Sequence, residues 1–208
     1  MIENYKKDVL GIVHQIKYDK IIYNINYIHD RYDSYGELNR RMSCLRLGNI
    51  IGTIGRYPTS ILDVGYGNGD FLGLCSEAIN DCYGNDISGY PIPKNCKYIG
   101  DICSTEFDVI TFFDVLEHFD DINIISKLNC NYVVISVPWC HYFSDEWFLN
   151  WKHRRPNEHL HHFNDKSLNR FMNIHNYDHL SITNVEDIVR KSNNENNNIL
   201  TGIFKKRK

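Results

Sequence analysis

Eight consecutive residues, Asp63-Val64-Gly65-Tyr66-Gly67-Asn68-Gly69-Asp70, place three glycines at alternate positions. Glycine lets a chain turn tightly and brings backbone N–H groups close to a ligand. A helix opening just after such a turn adds free N–H groups and a positive dipole end, which suit a carboxylate or phosphate. The spacing is not that of a dinucleotide-binding loop. Gly65 and Gly67 would need a glycine where Asp70 stands, and Gly67 and Gly69 would need one where Leu72 stands. No Gly-Lys-Ser/Thr follows, which excludes a Walker loop.

A second concentration of reactive groups runs from Trp151 to Phe163 and includes Lys152, His153, Arg154, Arg155, Glu158, His159, His161 and His162. Imidazoles can take a proton, ligate a cation, or simply cap and pack a loop. Glu158, His159 and His161 have donor types suited to a divalent ion, but no distant carboxylate completes a matching pattern, so no metal is expected. His161 shares a face with His159 if the segment is extended. Nearer the N-terminus, Tyr27, Tyr32 and Tyr35 accompany Arg40 and Arg41. Aromatic rings can shield a cationic group. The paired arginines here and at 154–155 point to an anionic small molecule such as a nucleotide-linked sugar; helix packing and solvated charge are the plainer readings of the same residues.

These groups need elements to hold them. Tyr5, Val9, Ile12, Val13 and Ile16 recur at helical spacing, as do Leu38, Met42, Leu45 and Ile54, so the first 59 residues read as helical until Pro58. From residue 60 the period changes. Ile61–Val64, Cys82–Ile87, Lys97–Ile99, Phe107–Phe112 and Asn131–Val137 read as strands, with helices over Phe71–Ile79 and Val115–Leu128 between them. Strands apolar on both faces, alternating with helices, predict a parallel sheet covered on both sides. Asp165–His175 reads as a later helix, and Leu180–Val185 and Ile199–Phe204 as two final strands. In a doubly wound sheet of this kind the glycine loop, at the carboxyl end of the first strand, stands where ligands bind.

The Asp-x-Gly-x-Gly-x-Gly pattern resembles motif I of the class I S-adenosylmethionine-dependent methyltransferases. Asp86, in Gly84-Asn85-Asp86-Ile87, resembles the acidic residue that in this family accepts hydrogen bonds from both ribose hydroxyls. Gly100-Asp101-Ile102 resembles the adenine-side segment, and Phe107 to His118, ending Asp114-Val115-Leu116-Glu117-His118, resembles motif IV. The resemblance implies a Rossmann-like α/β fold with a seven-stranded sheet, mostly parallel with an antiparallel edge hairpin. It also implies a lid formed by residues 1–59 over a cofactor-binding unit of residues 60–208. S-adenosyl-L-methionine is the implied cofactor, giving S-adenosyl-L-homocysteine as product. The cofactor contacts it implies are Asp63, Gly65, Tyr66, Gly67, Asn68, Gly69, Asp86, Ile87, Asp101, Ile102, Phe113 and Asp114. Glu158-His159 is similar to the Glu-His segment of some sugar methyltransferases, which makes His159 the expected base and Glu158 its orienting partner. His118 is a further candidate base, or a residue packing beside the methionine moiety. Tyr27, Tyr32, Tyr35, Arg40, Arg41, Arg154, Arg155 and His161 are the expected acceptor contacts. The implied acceptor is a small molecule, such as a sugar or nucleotide-linked sugar. RNA or protein methylation, or a catalytically inactive partner subunit, are the alternatives.

Composition bounds these readings. The net charge of −3 splits into +3 over residues 1–59, −11 over 60–150 and +5 over 151–208, and an acidic centre argues against a nucleic-acid surface. No apolar run approaches the ~20 residues that span a bilayer. The N-terminal residues lack a secretory layout. Seven cysteines show no C-x-x-C spacing. A cytoplasmic protein is the expectation.

Overall fold

The computed structural model describes residues 2–32, 36–190 and 196–208. Strands β3 (Ser60–Val64), β4 (Asp81–Asn85), β5 (Lys97–Tyr98), β6 (Phe107–Phe113), β7 (Cys130–Pro138), β9 (Tyr177–Thr183) and β10 (Ile199–Lys206) form one sheet in the order β5-β4-β3-β6-β7-β10-β9. The pairs β3–β4, β4–β5, β3–β6 and β6–β7 are parallel. β10 runs antiparallel between β7 and β9. Helices α2 (Glu37–Ile54), α3 (Asp70–Cys75) and α5 (Asp165–Ile174) flank the sheet, and α1 (Ile25–Tyr32), α4 (Asp145–Asn150) and α6 (Asp187–Arg190) sit near its margins. Among the described residues no helix is long and apolar enough to cross a membrane.

Strand alternation makes the two layers. Ile61, Val109 and Val134 pack on one face against Ile50 of α2 and Phe71 and Leu72 of α3. Leu62, Ile110 and Val133 pack on the other against Leu168, Phe171 and Met172 of α5. β6 is buried along its whole length, as a central parallel strand must be. Strand order reverses direction at β3, with β4 on one side and β6 on the other. The loops leaving β3 and β6 therefore open side by side at the carboxyl edge, where such sheets leave a crevice.

Two segments depart from the periodicity reading. Residues 5–15 form a β-hairpin, not a helix: β1 (Tyr5–Lys7) pairs with β2 (Val13–Gln15), which pairs with β8 (His161–His162) in a separate three-stranded sheet. The Asp8 carboxylate accepts from Leu10 and Ile12 N–H, and Gly11 adopts φ +94°, which together close a hairpin. Val9 and Ile16, counted in the helical stripe, are 96% and 57% exposed, whereas Val13 and Gln15 are buried with a period of two. Residues 115–128 form not one helix but 3-10 turns at Leu116–His118 and Ile122–Lys127. Asp121, in mid-segment, accepts from Asn123 N–H and restarts the chain there, so local side-chain bonding displaces a continuous helix.

Candidate functional site

Gly65, Gly67 and Gly69 all take positive φ, at +69°, +57° and +79°. At Gly65 the need is also steric, because a Cβ there would lie 2.4 Å from Val115 Cγ2. The bend carries the Gly67 N–H to Asp86 Oδ2 at 2.8 Å, while Asp86 Oδ1 accepts from Ser88 N–H at 2.7 Å. Each carboxylate oxygen retains a further acceptor site. Around this bend lies a cavity of about 270 Å³, lined by Gly65, Gly67, Asp86 and Ile87, by Val115 and Phe119 beyond β6, and by Tyr23, Tyr27 and Ile28 from the N-terminal segment.

A second cavity of about 350 Å³ adjoins it. Leu38, Met42 and Arg46 of α2, Phe113, Pro138, His153, His159, Arg190 and Asn198 line it. Tyr27, Asp114 and His118 line both cavities and form their common wall. Arg46 and Arg190 are neutralised where they stand. Arg46 Nε donates to Glu186 Oε1 at 2.8 Å and its Nη2 to Asp114 Oδ2 at 3.3 Å. Arg190 donates to Glu186 Oε2 at 2.8 Å and also to Asp114. Glu186 is fully buried and also accepts from Ser136 Oγ at 2.7 Å. Burial alone would raise the Asp114 carboxyl, but Arg190 and Arg46 outweigh it and hold it below the usual range.

His159 is buried, its Nδ1 donating to the His153 carbonyl at 2.7 Å. Burial, with His118 and His162 beside it, pushes its pKa down to about 2, so the ring is neutral near pH 7 and by itself a weak proton acceptor. His118 Nδ1 donates to the Glu158 carbonyl at 2.7 Å, and the Tyr23 hydroxyl lies 3.0 Å from the same nitrogen. Glu117 is buried beside His118 and His159, and burial followed by the Asp114 charge raises its carboxyl well above the ordinary value.

The family described as Methyltransferase domain matches residues 28–182. The chain belongs to the class I S-adenosylmethionine-dependent methyltransferases. No curated protein matches the sequence. Among solved structures, a Clostridium acetobutylicum S-adenosylmethionine-dependent methyltransferase superposes with a TM-score of 0.61 at 10% identity, over 88% of this chain and 98% of that one. The Burkholderia thailandensis 1,6-didemethyltoxoflavin-N1-methyltransferase, solved with its namesake compound and S-adenosylhomocysteine, gives 0.57 at 13% identity over 99% and 100%. The magnesium protoporphyrin IX methyltransferase of Synechocystis, solved with S-adenosylhomocysteine, gives 0.53 at 14% over 88% and 100%. At these identities the likeness shows a shared fold.

Within the methyltransferase, the expected residues divide. Gly65, Gly67, Asp86 and Ile87 reach the glycine-loop cavity, Phe113 and His159 the second, and Tyr27, Asp114 and His118 both. Others support the loop from outside it. Asp63 is buried beneath it, accepting from Thr111 Oγ1 at 2.6 Å, and burial pushes its pKa up to about 7. Tyr66 turns away, its hydroxyl on the Tyr90 carbonyl at 2.5 Å, and Asn68 donates to Asp70 at 2.7 Å. Gly69 opens α3 with Pro93 packed over it. Asp101 accepts from Cys103 N–H at 2.9 Å, and Ile102 joins the core, so neither lines the cavity.

The acceptor-side expectations fare less well. Arg40 and Arg41 are exposed on α2, on a different face from the inward Arg46, and line neither cavity. Arg155 pairs with Glu158 at 3.0 Å, and Arg154 lies over the Tyr5 ring. His161 does not share a site with His159; it meets His14 Nδ1 at 2.7 Å and donates from Nε2 to the Phe119 carbonyl at 2.8 Å, since β8 pairs it with β2. Glu158 orients His118 through its carbonyl rather than His159 through its carboxylate, which accepts from Tyr27 at 3.1 Å. Tyr35 and the Tyr32 side chain lie outside the described residues. Sequence reasoning missed Tyr23, Arg46 and Arg190, and quoted Glu117 and His153 only as members of the motif IV segment and the histidine cluster, with no role of their own.

Proposed function

We propose that the methyltransferase holds S-adenosylmethionine in the glycine-loop cavity and a small hydroxylated acceptor, such as a sugar, in the adjoining one. The observation carrying this reading is the common wall of Tyr27, Asp114 and His118 between two cavities of different lining. The residues fit the cofactor: Gly65 and Gly67 bring bare backbone to the cavity wall, and Asp86 offers two acceptor oxygens to a vicinal diol. When bound, S-adenosylmethionine would supply an electrophilic methyl: the carbon–sulfur electron pair would stay on sulfur while the acceptor hydroxyl oxygen bonds to the carbon and gives up its proton to solvent.

The chain's part is alignment and exclusion of water. Asp86 fixes the ribose end. Tyr27, at the wall, is placed to shield a sulfonium with its ring. Residues 1–59 act as the lid, through Tyr23, Tyr27 and Ile28, and residues 60–208 as the cofactor-binding unit. The apolar Leu38, Met42, Phe113 and Pro138, with the polar His153 and Asn198, orient a compact acceptor. The arginines of that lining are already ion-paired, so the cavity favours a neutral hydroxylated molecule over a nucleotide-linked one. The methyltransferases that superpose on the chain include ones named for small acceptors, a toxoflavin precursor and a porphyrin. Release of S-adenosylhomocysteine in the presence of a sugar panel tests the reading. Turnover with neutral sugars is expected; turnover confined to nucleotide-linked sugars, or to RNA or protein, would overturn the acceptor assignment.

A further inference from the structure

Glu117 is 1% exposed, and neither of its carboxylate oxygens has a hydrogen-bond partner among the described residues. Buried polar groups are rarely left so, and those that are call for an explanation such as an ion. Its neighbours offer one. Glu117, His118 and His159 each bring a ligand atom into a group lying within 4.8 Å of one another. Metal–ligand bonds of about 2.1 Å keep donor atoms about 3–4 Å apart, so modest side-chain rotation closes the set.

The imidazoles are prepared for that role. His118 Nδ1 meets the Glu158 carbonyl and His159 Nδ1 the His153 carbonyl, each at 2.7 Å. A carbonyl only accepts, so Nδ1 carries the proton in both rings and Nε2 carries the lone pair. Metal-ligating histidines are oriented in this way by their outer partners. The backbone holds the parts in register, because Leu160 N–H donates to the Glu117 carbonyl at 2.8 Å and ties the 158–160 strip to the 116–118 turn. The second cavity is lined by His118 and His159, and Glu117, buried in the same turn as His118, has its carboxylate within reach of both.

We propose that Glu117, His118 and His159 bind a first-row divalent transition-metal cation whose remaining coordination positions face the acceptor cavity. Two imidazoles and one carboxylate suit such an ion, whereas magnesium and calcium take oxygen ligands. An oxygen of the acceptor fills an open position and is polarised there, which orients it toward the common wall. His159, expected as a base, is then a ligand, a role that a neutral imidazole serves. The acceptor's place in this proposal rests on the two-cavity reading above; the cation site itself does not.

The test uses the full chain, stripped with a chelator and titrated with Co2+, with S-adenosylhomocysteine calorimetry on the same samples. One equivalent of Co2+ per chain with ligand-field absorption is expected, and excess Mg2+ does not displace it. Glu117→Gln and, as a second variant, His159→Gln weaken Co2+ binding by more than the about 10–100-fold that loss of an outer partner costs. His141→Ala, outside the set, leaves it unchanged. S-adenosylhomocysteine binding with no Co2+ uptake, or undiminished Co2+ binding in both variants, overturns the metal site and leaves the cofactor reading standing. Co2+ uptake without S-adenosylhomocysteine binding supports the metal site and overturns the cofactor cavity.

Discussion

Gly65 shows how much one backbone position can decide. Its φ of +69° and the 2.4 Å approach of a notional Cβ to Val115 leave no room for a side chain. Gly65→Ala is expected to lower stability by about 1–2 kcal/mol from backbone strain alone and to weaken S-adenosylhomocysteine binding further. Urea unfolding and calorimetry check both; an unchanged midpoint with unchanged affinity would refute the cradle. Residues of this kind were legible in the sequence because their meaning is local: the glycine spacing and Asp86 both follow strands that the apolar runs reveal. Arg46 and Arg190 were not legible. Arg46 meets Glu186 across 140 positions of chain, and no local pattern announces such a partner.

At the scale of elements, the ion network of Arg46, Asp114, Glu186 and Arg190 joins α2, the loop after β6 and α6. A fully buried carboxylate facing two guanidiniums is stable only as a complete set. Glu186→Ala leaves those cations with one acidic partner and is expected to cost about 3–5 kcal/mol, read as a drop in the urea midpoint. A loss below about 1 kcal/mol would show that the network is solvated and does not tie α2 down. The same scale explains which elements periodicity recovered. Strands with apolar residues on both faces can lie only in a covered sheet, so the central strands β3, β6 and β7 were recognisable. The hairpin at 5–15 was not, because its short strands carry few apolar residues and Val9 lies at an exposed turn. The 115–128 segment has helical spacing, yet Asp121 bonds its own neighbours and divides it.

For the whole molecule, Asp108 couples folding to pH. Burial alone would raise it, but Arg56, the Thr59 N–H and Asn131 together hold the carboxyl at about 2, below its ordinary 3.8. A depressed acid pKa contributes stability above the unfolded value and loses it as pH falls through the folded one. Asp108→Asn is therefore expected to cost about 2 kcal/mol at pH 7, with the difference from wild type shrinking below pH 3.8 and nearly gone by pH 2. A difference constant across that window would mean the carboxylate's charge is not what the fold uses.

The account's centre is the seat of the cofactor, and calorimetric titration of S-adenosylhomocysteine into the wild-type chain and Asp86→Ala addresses it most directly. One molecule per chain is expected for the wild type, with binding about 1–3 kcal/mol weaker in the variant through loss of charge-assisted hydrogen bonds. Equal affinity in the two proteins, or no binding to the wild type, would contradict it.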